Sequence, residues 1–326
     1  MGGPDSRSQA FENAELESVW SFQKANAAAF ETANGVRWDR LKIIATAFAN
    51  NLEGAESVRA LPMYLLMRSR KEVEYLAELV KVYLPFADKQ RWYADPAVRA
   101  EVDAEVERRL REKANREDDI RELAEYGKLA ERAVMSQGMA HGMMTRLIFA
   151  VLTSTWTAFE VMAGDVWRTF LNEFPQLLTS QRMQQSCAES SGGIGSRAIS
   201  IGLVSRHGFD LRNCMGDLLW ERINFSDLGQ LRKAYCDLFD DPELSLALES
   251  KHLRLLEEVR HLILHRSAMV DENFKRATGS PLPLGCRLPI GQLPLQEMSD
   301  AAYDCGCFIL RFVDERYDRL RGQNRA

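Results

Sequence analysis

Between Arg146 and Phe174 large apolar side chains recur at helical spacing (Leu147, Val151, Trp156, Phe159, Val166, Trp167 and Phe170), and Pro175 stops the run. Almost every other long segment follows the same period, and no segment shows convincing strand alternation, so the chain is expected to be all-α. Residues from about Phe11 to Asn51 carry alanine-rich apolar spacing with a break at Gly35, and Leu61 to Tyr83 forms a second stretch that ends near Pro85. Pro96 opens a long charged helix over about 97–134, proline being well suited to a first helical turn. In it Val98, Val102, Val106, Leu110 and Ala114 recur every four residues between acidic and basic side chains. That is a narrow amphipathic seam on a solvated arm, and its spacing drifts from a true heptad.

Met135 to Met144 contains two glycines among its methionines and reads as a joint, with His141 structural. The expected division is therefore an N-terminal helical region over 1–140 and a helical bundle over 141–326. Beyond Pro175, residues Ser186 to Ser200 are rich in serine and glycine and read as a loop. No strand leads into Gly192-Gly193-Ile194-Gly195 and no P-loop lysine follows it, which argues against a phosphate cradle. Further helices are expected over Asp210–Leu219, Phe225–Phe239 (with Ser226 or Asp227 as cap), Leu244–Arg266 and Ser299–Leu320. A proline-rich link, Pro281–Pro289, precedes the last of them, and the whole makes a bundle of about five helices.

Composition narrows the function. Of 326 residues 46% are hydrophobic, enough for a proper core, and the formal net charge is −5. A protein that gripped nucleic acid over its whole surface would be basic, so any RNA contact must be local. The first residues, Met1–Ser8, are polar and do not form a secretory signal. The apolar run Leu147–Leu152 is interrupted by Thr153, Ser154 and Thr155, which predicts no bilayer span. The six cysteines form no CxxC pair, and Cys305 and Cys307 sit in an apolar helical pattern. Reduced, buried thiols in a cytoplasmic protein follow, with no cofactor and no metal.

The candidate chemistry lies in Glu257-Glu258-Val259-Arg260-His261-Leu262-Ile263-Leu264-His265-Arg266. An imidazole moves protons near neutral pH, and a guanidinium holds a phosphate through paired hydrogen bonds. The two together suffice to cut RNA without a metal. Projected at 100° per residue, Leu248, Leu255, Leu256, Val259, Leu262 and Ile263 share a broad apolar arc with Arg260 on its flank, between Leu253 and Leu256, a position suited to a semi-buried catalytic group or to a structural salt bridge. Glu257, Glu258, His261 and His265 share the polar side. Arg260 and His265 lie about 140° apart around the helix, so they converge through arginine's length, a distorted helix end or a second copy of the helix. His261 and His265 share a face at the spacing of a zinc pair, but no third ligand cluster accompanies them.

Arg260-x4-His265 late in a helix, the Arg266-Ser-x-x-Val-Asp271 sequel, and a last amphipathic helix after a loop resemble the HEPN superfamily of helical-bundle domains. The likeness covers roughly Arg146 to Leu320 and includes an acidic residue, Glu160, inside its first long helix. It implies a metal-independent endoribonuclease, a toxin or phage-defence effector, that acts as a homodimer with a composite Arg/His site. On this resemblance Arg260 and His265 are the catalytic pair, with His261 and Glu160 in support. His261 stands where the family commonly has asparagine. The implied partners are an RNA substrate, a second copy and a neutralising or regulatory protein, with no membrane. Since the family also has inactive members, the alternative is a catalytically inactive dimeric helical module that binds a nucleotide, RNA or protein.

Overall fold

The structure is a computed structural model that describes residues 25–83, 96–112, 138–179, 201–220 and 223–323. Every element among them is helical, and an isolated antiparallel bridge between Met269 and Arg287 is the only β-type pairing among the described residues. The all-α expectation holds.

The chain divides into two compact units, and the division differs from a simple cut near residue 140. One unit comprises the described residues up to Glu56 together with those from Ile148 onward; the other comprises residues 57–147. The early helices thus pack with the C-terminal bundle, because Ala29, Ala33, Leu41, Ala45, Phe48 and Leu52 are apolar residues that find their burial there.

The first unit contains helix α1 (Ala25–Gly35) and the beginning of α2 (Asp39–Tyr83). Gly35 ends α1 as the sequence suggests, whereas α2 continues through Gly54 and Pro62, where two separate stretches are expected. The second unit holds the remainder of α2, α3 (Pro96–Glu112) and the first turns of α4 (Gly138–Glu173). The predicted seam of α3 is visible in buried Val106 and half-buried Val102 and Leu110, and Arg68 of α2 holds Glu107 at 2.6 Å. The far end of the predicted charged helix and the Ser186–Ser200 loop lie outside the described residues, as does the His141 side chain. The predicted joint at 135–144 is helical from Gly138 onward.

Helix α4 is the centre of the first unit. Leu152, Trp156, Phe159, Val166, Trp167 and Phe170 are completely buried. Its Thr145–Glu173 portion is long and apolar enough to cross a membrane, well beyond the short run noted in the sequence, and 61% of its most apolar window is buried inside the fold. Around it lie α5 (Ile201–Arg206), α6 (Met215–Trp220), α7 (Leu228–Phe239), α8 (Pro242–Ala247), α9 (Lys251–Arg266), α10 (Glu272–Thr278) and α11 (Leu295–Gln323). Two buried polar groups fasten α7 to α4: the Tyr235 hydroxyl donates to Ala163 O at 2.6 Å, and the Trp167 indole N–H donates to Ala234 O at 3.1 Å. Gly306 of α11 lets a helix and two side chains meet closely. A Cβ there would stand 2.5 Å from Phe48 Cζ and 3.1 Å from Met162 Cε.

Local caps explain where the helices depart from sequence expectation. The predicted helix over Asp210–Leu219 shrinks to α6, because the Asp210 carboxylate accepts hydrogen bonds from the Arg212 N–H (3.1 Å) and guanidinium and so stabilises a turn. The predicted Leu244–Arg266 helix is divided into α8 and α9. Asp241 caps α8 with Pro242 in its first turn, and the Ser250 hydroxyl accepts from Leu253 N at the start of α9. Asp227 caps α7 as predicted, accepting from Gln230 N at 2.8 Å.

One carboxylate joins the ends of the unit. Asp314 of α11, only 4% exposed, accepts from the backbone N–H groups of Arg37 (3.1 Å) and Trp38 (2.9 Å) and from Arg37 Nε (3.2 Å). The Trp38 ring then stacks on Tyr317 with centroids 4.4 Å apart and planes 7° from parallel. An Asp314→Ala protein should lose about 2–4 kcal/mol of unfolding free energy in a urea titration, since three donors would be left without their acceptor. A change below about 0.5 kcal/mol would show that the clamp is incidental.

Candidate functional site

Helix α9 buries Leu256, Val259 and Leu262 of the expected arc and leaves Leu255 and Ile263 half-buried. Leu253 on the flank is buried too, and Leu248, expected on the same arc, is buried at the end of α8. Arg260 leaves the edge of that arc toward α4, where its Nη2 stands 3.7 Å from the Glu160 carboxylate. The side chains are 19% and 23% exposed. Glu160 is pushed above the usual carboxylate range by burial, against the attraction of Arg260. The Trp156 indole N–H leans toward the same carboxylate without reaching hydrogen-bond geometry. Arg260 Nε is buried and meets no acceptor among the described residues. The guanidinium is therefore held by one long ion pair and retains an unsatisfied donor.

His261 and His265 occupy the outer face of α9. Both are exposed, with ring centroids 4.8 Å apart and planes inclined at 48°. No group of three metal-ligating side chains converges among the described residues. Helix α9 is regular to Arg266, so Arg260 and His265 project about 140° apart and do not form a pair within one chain. The structure thus brings Arg260 to Glu160 and His261 to His265, and it leaves the two couples on different sides of the helix.

The sequel to the motif serves the backbone. Ser267 and Ala268 are both left-handed (φ 53° and 61°), and the Ala268 N–H returns to Leu262 O at 2.9 Å to close the helix end. Val270 N donates to Cys286 O at 2.9 Å, and Leu288 N donates to Ala268 O at 2.8 Å, which ties the turn to the proline-rich link. Asp271 caps α10 through Phe274 N and also receives Arg266 at 3.4 Å. The Arg266-Ser-x-x-Val-Asp271 pattern accordingly encodes a helix stop, a short pairing segment and the next helix start.

Glu257 is a second feature, which the sequence places only on the polar stripe. It accepts from Leu228 N at 2.7 Å, at the start of α7, and is half-buried. Burial drives its carboxyl from 4.5 to about 7, with Asp227 and Glu258 adding to the rise. The signal available in the sequence is its position one turn above Leu253, which is wholly buried. Glu257 lines a cavity of about 300 Å³ between the start of α7 and the α8–α9 junction. The five described cysteines are free thiols, with Cys214, Cys305 and Cys307 buried.

No family model, no curated protein and no solved structure matches this chain.

The long Arg260–Glu160 contact has a measurable strength. Arg260→Ala should cost about 1–2 kcal/mol of stability, and a double-mutant cycle with Glu160→Ala should give a coupling of about 0.5–1.5 kcal/mol. Strictly additive losses in chemical denaturation would mean that the two residues do not stabilise one another.

Proposed function

We propose that the chain is a metal-independent endoribonuclease of HEPN type that works as a homodimer. The observation that supports this reading is the state of Arg260. It is three-quarters buried or more on the helix that presents His261 and His265 to solvent, and its Nε is without an acceptor. A guanidinium of this kind has donor capacity left for a phosphate. Because Arg260 and His265 project to different sides of one α9, a second copy of the helix supplies the missing half of each site.

In the proposed reaction a ribose 2′-hydroxyl attacks the adjacent phosphorus. The O2′–P bond forms, the P–O5′ bond breaks, and the products are a cyclic phosphate and a free 5′-hydroxyl. One His265 imidazole takes the 2′ proton and its symmetry mate, protonated, returns a proton to the leaving oxygen. Arg260 stabilises the charge that builds on the non-bridging oxygens. His261, in ring contact with His265, and Glu160, in contact with Arg260, orient the pair. A cytoplasmic toxin or phage-defence effector held in check by a protein partner is the setting that this reading carries.

A second reading has its own observation. The Arg260–Glu160 ion pair faces away from His265, which suits a non-catalytic helical module in which the arginine is structural.

Labelled single-stranded and structured RNAs, incubated in EDTA with the full chain, decide between them. The wild type should cleave and leave cyclic phosphate ends, whereas Arg260→Ala and His265→Ala should each be slower by about 10²–10⁴-fold. Absence of cleavage by all three would favour the non-catalytic module, and equal rates in wild type and variants would remove Arg260 and His265 from the reaction.

A further inference from the structure

The cavity at the start of α7 is enclosed by charges of both signs, and they are unequally satisfied. Arg232 of α7 is engaged with Glu249 and with the Ser245 hydroxyl, the latter at 3.0 Å. Asp227, Glu257 and Glu258 share the cavity with Arg254, whose charge favours the ionised form of both glutamates, and His261 on the same helix acts likewise on Glu258. Glu257 is the member of this cluster that crosses between helices. It projects from α9 and accepts the Leu228 N–H at 2.7 Å, one of the α7 N–H groups that has no partner inside its own helix. Asp227 has the adjoining duty, capping the same helix through Gln230 N at 2.8 Å. Two carboxylates therefore converge on one helix start, and Glu258 follows Glu257 directly in the chain.

We propose that Glu257, with Asp227 and Glu258, is a proton-operated brace, which fastens the start of α7 to α9 when Glu257 holds its proton and loosens that junction when the proton leaves. Protonated Glu257 keeps a carbonyl oxygen for the Leu228 N–H and removes one of three like charges. Ionised Glu257 is penalised first by desolvation of its charge and then by the repulsion of Asp227 and Glu258, which together outweigh the stronger hydrogen bond that the carboxylate accepts from the Leu228 N–H. The charged groups around it come from several elements: Asp227 at the start of α7 and Arg232 on it, Glu249 at the α8–α9 junction, and Arg254 and Glu258 on α9 itself. Asp271 at the start of α10 adds to the field at Glu258. The cavity, at about 300 Å³, gives water access to the carboxyl, so its proton exchanges with solvent.

The direction of the effect is fixed by linkage. A carboxyl that titrates at about 7 in the folded protein and near 4.5 when free binds its proton more tightly in the folded state. Its contribution is complete below about 4.5 and is lost as pH rises through about 7. The brace is tight in mild acid and weak above neutrality.

Amide hydrogen exchange on the intact chain, read by mass spectrometry at pH 6 and pH 8 and corrected for intrinsic rates, tests this. In the wild type, protection of a peptide spanning residues 224–232 should fall by up to about tenfold between the two conditions, the limit for one carboxyl that titrates at about 7, while a peptide from α11 stays constant. Glu257→Gln keeps an acceptor for Leu228 N and has no proton to lose, so its protection should be equal at both values. Glu258→Gln should retain the dependence with a lower midpoint. The proposal is overturned if the wild type shows no pH dependence, if Glu257→Gln retains it, if Glu258→Gln leaves the midpoint unmoved, or if the α11 peptide changes in step.

Discussion

The Asp314 carboxylate is the contact on which the first unit depends. A buried charge is tolerable only when donors surround it, and the donors here are backbone N–H groups of Arg37 and Trp38 together with the Arg37 side chain. The carboxylate consequently fixes where α2 begins. With that start fixed, Trp38 lies flat on Tyr317 and edge-on to Phe170, and Phe48 reaches the space left by Gly306. The central position of α4 follows, because its tryptophans and phenylalanines can be buried all round only when helices from both ends of the chain cover it.

Helical class and the centre of the buried arc of α9 (Leu256, Val259 and Leu262) were legible because periodicity reports which side chains must leave water, whereas Leu253 is buried in place of Leu255 and Ile263 at its margins. Boundaries were less legible. Ser250 is a cap residue plainly visible in the sequence, yet the apolar pattern runs straight across it and suggests one helix in place of α8 and α9. The division into units was hidden for a different reason. The apolar faces of α1 and early α2 announce that they need a partner but not which one, and the partner is more than two hundred residues away. Asp314 could not be read at all, since an acidic residue in an amphipathic helix looks like a solvated one.

In the candidate site, sequence reasoning named Arg260, His261, His265 and Glu160, and the structure joins them as two couples. The angular step of a regular helix makes this outcome unavoidable for residues five apart. Glu257 was placed only on the polar stripe, because the partner that gives it a role, the start of α7, lies outside its own helix. The Arg266–Asp271 stretch illustrates the opposite case. Its residues carry a resemblance, and each also has a local backbone task in stopping one helix and starting another. A local task of this kind keeps such a stretch in place whether or not a reaction occurs beside it.

The clamp between Arg37 and Asp314 spans 277 positions of sequence, which has a consequence for how the chain is made. At ribosomal rates of about 5–20 residues per second, roughly 15–55 s separate the synthesis of the two partners. During that interval the apolar faces of α1 and early α2 have emerged while their covering helix does not yet exist. The clamp therefore closes late, after α1 and early α2 have waited through that interval without the carboxylate that fixes where α2 begins.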